Sequence, residues 1–156
     1  SLEGSSWDCC YYQQNLREHD MSRPFDSGLD PSVQQYTRIN DFIILQQGKP
    51  THSSSDTDNT ITISGTAICY PGIVPNVNDH FVANLVGVGL GLFIVVSSKR
   101  YTYRRETPYE IEYELFRELN NAIQLELDRR VTTEVYFDRD SKAILTSLQE
   151  SKPLNQ

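Results

Sequence analysis

The sequence predicts a mainly β protein: a small antiparallel β-barrel or sandwich with one late α-helix and extended polar N- and C-terminal arms. Three observations predict it. PYEIEYELF alternates strictly, with Tyr109, Ile111, Tyr113 and Leu115 on one side and Glu110, Glu112 and Glu114 on the other, which is the period of a strand with one dry and one wet face. TITISGTAIC and VTTEVYF carry the same alternation. Only LNNAIQLELDRR switches to helical spacing, placing Leu119, Ile123 and Leu127 on one face. Six or so strands with a single helix bury these faces most simply by antiparallel closure.

Residues 1–35 read as a polar N-terminal arm. Six acids (Glu3, Asp8, Glu18, Asp20, Asp26, Asp30) face two bases (Arg17, Arg23), and Pro24 and Pro31 interrupt any period. The arm nonetheless holds Trp7, Tyr11, Tyr12 and Phe25, and aromatic side chains are useful when buried. Together with Cys9 and Cys10 they are the expected contact surface for a neighbouring subunit; packing on the arm's own domain is the alternative.

The core domain is expected over 36–138. Ile39 and Phe42 to Leu45 form its first strand, and 48–60 a polar loop. In TITISGTAIC, Ile61, Ile63, Ala67 and Cys69 share a face, with Gly65 read as a bulge. Tyr70-Pro71-Gly72 signals a turn. Phe81 to Val96 divides into two strands, with Gly87, Gly89 and Gly91 allowing tight geometry where they meet. Lys99, Arg100, Arg104 and Arg105 precede Glu106, Glu110, Glu112 and Glu114, a pattern suited to cross-strand ion pairs. A helix is expected near 119–130, capped by Asn120 or Asn121, with Arg129 and Arg130 in its last turn. Residues 139–156 read as a C-terminal tail in which Ile144, Leu145 and Leu148 form a helical turn or dock elsewhere.

A chain of 156 residues is the size of one domain. Its net charge of −7 argues against a nucleic-acid surface, which needs clustered Lys and Arg. The apolar run Phe81–Val96 contains Asn84 and three glycines and falls short of the ~20 residues of a membrane helix. The opening residues SLEGSSWDCCYY lack the basic and apolar regions of a signal peptide. Three cysteines, Cys9, Cys10 and Cys69, make no disulfide framework. The glycines at 87, 89 and 91 are followed by β-branched strand residues, not by the helix a phosphate loop needs. No cofactor, metal site or catalytic set is expected. The nearest approach to one is a Cys69–His80 pair, which would make a small hydrolase. Tyr101, Tyr103 and Tyr109 would serve a carbohydrate-binding β module.

One stretch carries a resemblance. AICYPGIVPNVNDHFVANL is followed by GLFIVVSSKRYTYRRETPYEIEYELF, then by the helix and VTTEVYFDRD. In texture and order, Ala67 to Asp138 resembles structural proteins of tailed-bacteriophage virions, particularly neck, tail or baseplate components of contractile-tailed phages. The resemblance implies a noncatalytic virion component, assembled in the host cytoplasm. Its partners would be other virion proteins and copies of itself in a symmetric oligomer. It assigns no site residues.

Overall fold

The computed structural model describes residues 4–15, 34–54, 61–85, 89–100 and 108–145. In chain order these form β1 (Ser5–Gln14), β2 (Tyr36–Gln46), β3 (Thr51–Ser54), β4 (Ile61–Cys69), β5 (His80–Leu85), β6 (Gly89–Arg100), β7 (Tyr109–Glu118), α1 (Asn121–Arg129), β8 (Val131–Asp138) and β9 (Ala143–Leu145). Six strands close an antiparallel barrel in the order β4–β7–β6–β5–β1–β2, with β2 returning to β4. Mainly β, barrel-shaped and with one late helix among the described residues, the protein has the predicted class. Closure removes the six strands' open edges.

Closure depends on one residue of β2. Cys9 pairs with Phe42 and Tyr11 with Ile39, so Asn40 and Asp41 together stand opposite Cys10. Asp41 takes φ 59, a left-handed conformation that Asp tolerates better than most residues. This bulge re-aims β2. Before it, Tyr36 to Asn40 pair in parallel with β8; after it, Ile44 to Gln46 pair antiparallel with β4. The parallel β2–β8 pairing departs from the all-antiparallel expectation. It is possible because β8 lies outside the barrel, joined only to β2 and β9.

The interior is aromatic. Phe81 stacks on Phe93 with centroids 5.1 Å apart, and Trp7, Tyr11, Phe42, Tyr113 and Phe137 continue the cluster edge-to-face or tilted. Such offset and T-shaped pairs add to the value of burial itself. Ile111, Tyr113 and Leu115 of β7 join this core as the alternation predicts, while Glu112 and Glu114 stay exposed. A second apolar layer lies on the barrel's outer side. There Tyr12, Tyr36, Val82 and Leu92 cluster with Leu127 of α1, flanked by Ile123, Leu119 and Val131. The helix is capped as expected: Asn120 Oδ1 accepts from the Ile123 amide at 2.9 Å, and Arg129 sits in the last turn.

Four expectations need correction. The polar arm 1–35 begins as a barrel strand, because β1 has partners on both edges, β2 and β5; residues 16–33 lie outside the described residues. The 48–60 loop contains β3, a polar strand added to β4. Gly65 is no bulge: the β4–β7 register runs unbroken from Ser64 to Cys69. A Cβ there would lie 2.5 Å from the Tyr113 hydroxyl, so the glycine makes room for a core ring. The tail 139–156 starts with a turn and β9, which pairs with β8; residues 146–156 lie outside the described residues.

Candidate assembly surface

Asp79 is the buried polar residue on which one end of the barrel is built. Its side chain is fully enclosed and accepts four hydrogen bonds. Oδ2 takes the Tyr11 hydroxyl at 2.7 Å and the Asn76 amide at 2.7 Å. Oδ1 takes the Gln14 amide at 2.9 Å and the Gln14 Nε2 at 3.2 Å. The Asp79 backbone adds a bond to the Val95 amide at 2.9 Å. One residue thereby ties β1, the 71–79 loop and β6 together. Burial pushes its carboxyl up to about 6, against the opposite pull of the four donors.

The loop itself is held by side chains that donate to its carbonyls. Gln13 Nε2 reaches the Val74 oxygen, Ser98 Oγ the Pro75 oxygen and Gln14 Nε2 the Val77 oxygen, each at 2.8 Å. Ile73 is buried in the barrel core. Val74 and Val77 are instead each 49% exposed. The result is a fixed loop with its backbone tied inward and two apolar side chains presented outward.

A second polar network joins the barrel to the helix. Arg38 of β2 pairs with Glu134 of β8 and, at 2.7 Å, with Asp128 of α1. Asp128 accepts from the Tyr12 hydroxyl at 3.2 Å, and Gln124 donates to Tyr12 at 2.9 Å. The hydrogen bond from Arg38 holds the Glu134 carboxyl below the usual carboxylate range. Arg38 and Glu134, with Val131 to Thr133, line a shallow open groove of about 380 Å³. The ion pair predicted across the β6–β7 hairpin is present as Lys99–Glu110 at 3.1 Å; Arg104, Arg105 and Glu106 lie outside the described residues.

Two of the exposed apolar side chains stand at bulges of the β6–β7 pair. Leu92 pairs with Arg117 and Phe93 with Leu115, leaving Phe116 as an extra residue; Val95 pairs with Tyr113 and Ser97 with Glu112, leaving Val96. Both bulged residues face solvent, Phe116 at 53% and Val96 at 40%. Phe116 lies under the Arg117 guanidinium at 5.0 Å and edge-on to His80 at 6.0 Å. Leu90 and Leu125 are also exposed. Strand alternation itself sets Phe116 on the side of Glu112 and Glu114, and Val96 on the side away from Phe93 and Val95.

The expected intersubunit residues are placed differently. Tyr11 and Cys9 lie in the barrel core and Tyr12 under the helix. Trp7 is half-buried against Phe81 and Phe93 and donates Nε1 to the Asn84 oxygen at 3.1 Å. Cys10 is partly buried beside Asn40. Within the subunit these five side chains meet barrel or helix neighbours, Trp7 and Cys10 remaining only partly buried; Phe25 lies outside the described residues. All three cysteines are free.

The Cys69–His80 pair does not form a site. Cys69 belongs to the barrel core. His80 shares its side of β5 with outward-facing Val82, and its ring lies between Tyr36 and Phe116. The barrel wall separates the two. Burial pushes the Cys69 thiol up to about 12 and the His80 imidazole down to about 4, which gives a neutral thiol and a weak base. Tyr101 and Tyr103 lie outside the described residues, so only Tyr109 of the carbohydrate platform is placed. Among the described residues no group of three or more His, Cys, Asp or Glu is positioned to hold a metal ion, and no helix is long and apolar enough to cross a membrane.

These features define a class: a small filled barrel whose interior is occupied by its own aromatic rings and whose distinctive groups lie on its loops, bulges and outer face. The chain belongs to a family of phage proteins described as "Putative phage head-tail joining protein", whose profile matches residues 1–145. That match makes it a phage virion protein and bears out the phage part of the resemblance. No curated protein and no solved structure matches it.

Proposed function

We propose that this chain is a noncatalytic connector subunit of the virion neck, where it meets copies of itself and other virion proteins in a symmetric assembly. Among neck, tail and baseplate, the family's description favours the neck, since joining a head to a tail takes place there. The observation that carries the reading is the combination of a filled interior with apolar side chains fixed outside it. Val74 and Val77 are presented by a loop tied down at three carbonyls, and Phe116 and Val96 stand at bulges on the outer face. Exposed apolar groups held rigidly by their own subunit suit docking, because little conformational entropy is lost when a partner covers them.

The acidic segment 16–33 adds to this reading. In the chain it joins Asn15 to Gln34, and the Asn15 amide donates to the Gln35 carbonyl at 2.9 Å. Its sequence includes Met21, Phe25 and Leu29. We assign the expected arm contacts to this segment and to residues 146–156, and none to β1. The net charge of −7 favours protein neighbours over DNA. Assembly in the host cytoplasm accords with three unpaired thiols.

Quantitative mass spectrometry of gradient-purified particles tests the proposal. Several copies per particle are expected, with chemical cross-links from this chain to itself and to other neck proteins. Recovery of the chain only as a free monomer outside particles overturns it.

A further inference from the structure

The Asp79 site is saturated in a way that ties loop position to proton occupancy. All four of its contacts are donors: two backbone amides, one hydroxyl and one side-chain amide. Ionised Asp79 satisfies every one of them. A protonated Asp79 has a hydrogen to place and needs an acceptor. The two backbone amides cannot become acceptors. Tyr11 can, by rotating its hydroxyl, but Tyr11 is fully buried among Phe42 and Phe81, and its own proton would then point into apolar surroundings. Gln14 can, by turning its side-chain amide over so that Oε1 receives the Asp79 proton. Gln14 is half-buried at the barrel end, where this rotation is open to it. The same Nε2, however, also holds the Val77 carbonyl at 2.8 Å. Turning the amide over places Oε1 toward that carbonyl and releases it.

We propose that Asp79 and Gln14 form a proton-operated latch on the 71–79 loop: with Asp79 ionised the loop is fastened at Val77, and with Asp79 protonated it is let go, changing how Val74 and Val77 are presented. No bond other than hydrogen bonds breaks, and the proton comes from solvent. Burial sets the operating range, raising the Asp79 carboxyl to about 6. The other groups facing the site do not compete in that range. Cys69 of β4 and Tyr11 of β1 are pushed up by burial and stay neutral, as does Tyr36 of β2. His80 of β5 is pushed down to about 4, with Arg130 a fixed positive charge beyond it.

Hydrogen exchange of the full chain, followed by mass spectrometry from about pH 5 to pH 8 and corrected for intrinsic exchange chemistry, tests the latch. Peptides spanning residues 70–79 should exchange about tenfold faster below a midpoint near 6, while β7 peptides show no such loss of protection on the acid side. Asp79→Asn, whose amide requires an acceptor as the protonated acid does, should show the fast loop at every pH. His80→Gln should leave the midpoint in place. A loop whose corrected exchange is flat with pH, or an Asp79→Asn variant that keeps the step, overturns the proposal. If Asp79→Asn does not fold, carbon NMR of the wild-type carboxyl decides. A step near 6 shared by Asp79 and the Gln14 side-chain amide supports the latch, and a step absent from either one refutes it.

Discussion

β1 and β7 are both ten-residue strands of the same barrel, yet they have opposite surroundings. β7 has a dry inner face, Ile111 and Tyr113, and a wet outer face, Glu112 and Glu114. β1 is covered on both sides: Cys9 and Tyr11 point into the aromatic core, while Cys10 and Tyr12 point out under α1. Polar groups close its end, with Tyr11 and Gln14 bonded to Asp79 and Tyr12 to Asp128 and Gln124. The difference teaches where stability and function divide. β1 is an internal strut joining barrel, helix and loop, and β7 is an ordinary barrel wall with an exposed bulge at Phe116.

Substitutions sharpen that contrast. Tyr11→Ala should have the largest effect, about 4 kcal/mol or more in urea unfolding, because it empties a fully buried site and strips a donor from Asp79. Stability should also follow pH through Asp79. An unfolded aspartate titrates near 3.8 and the folded Asp79 at about 6. Between these values the folded chain keeps a proton that the unfolded chain has lost. The residue's contribution is therefore full below the lower value and falls as pH rises to the higher one, by at most about 3 kcal/mol. Comparing denaturation midpoints of wild type and Asp79→Asn across that range should show the decline only in wild type. Gly65→Ala should cost about 1–3 kcal/mol by pressing on Tyr113, and Tyr113→Phe should relieve part of it, since the clash is with the hydroxyl end. Tyr12→Phe, which loses its bond to Asp128, should cost about 1 kcal/mol. Glu112→Gln on the wet face of β7 should change unfolding by no more than about 0.5 kcal/mol.

Strands with one wet face were legible in the sequence. β7, β4 and β8 alternate because water covers one side of each, and α1 announces itself through Asn120 and the spacing of Ile123 and Leu127. β1 was not legible for the opposite reason: with both faces covered, Cys9 to Tyr12 show no alternation, and the surrounding acids mimic a solvated arm. β3 carries only polar side chains and is fixed by backbone bonds to β4. Val96 and Phe116 fall on the outer side by alternation, since Phe93 and Val95 face the core and Glu112 and Glu114 the solvent, but an apolar side chain does not announce its exposure in the sequence. Nothing in the local sequence marks Asp79, which simply precedes an apolar strand. Its four partners come from positions 11, 14 and 76, and the distant two are brought to it only by barrel closure.

The neck assignment is tested most directly by imaging particles assembled in infected cells that lack this chain. A connector subunit predicts separate filled heads and separate finished tails in electron micrographs, with joining restored when the purified chain is added back. Normal yields of joined, infectious particles without it would contradict the assignment.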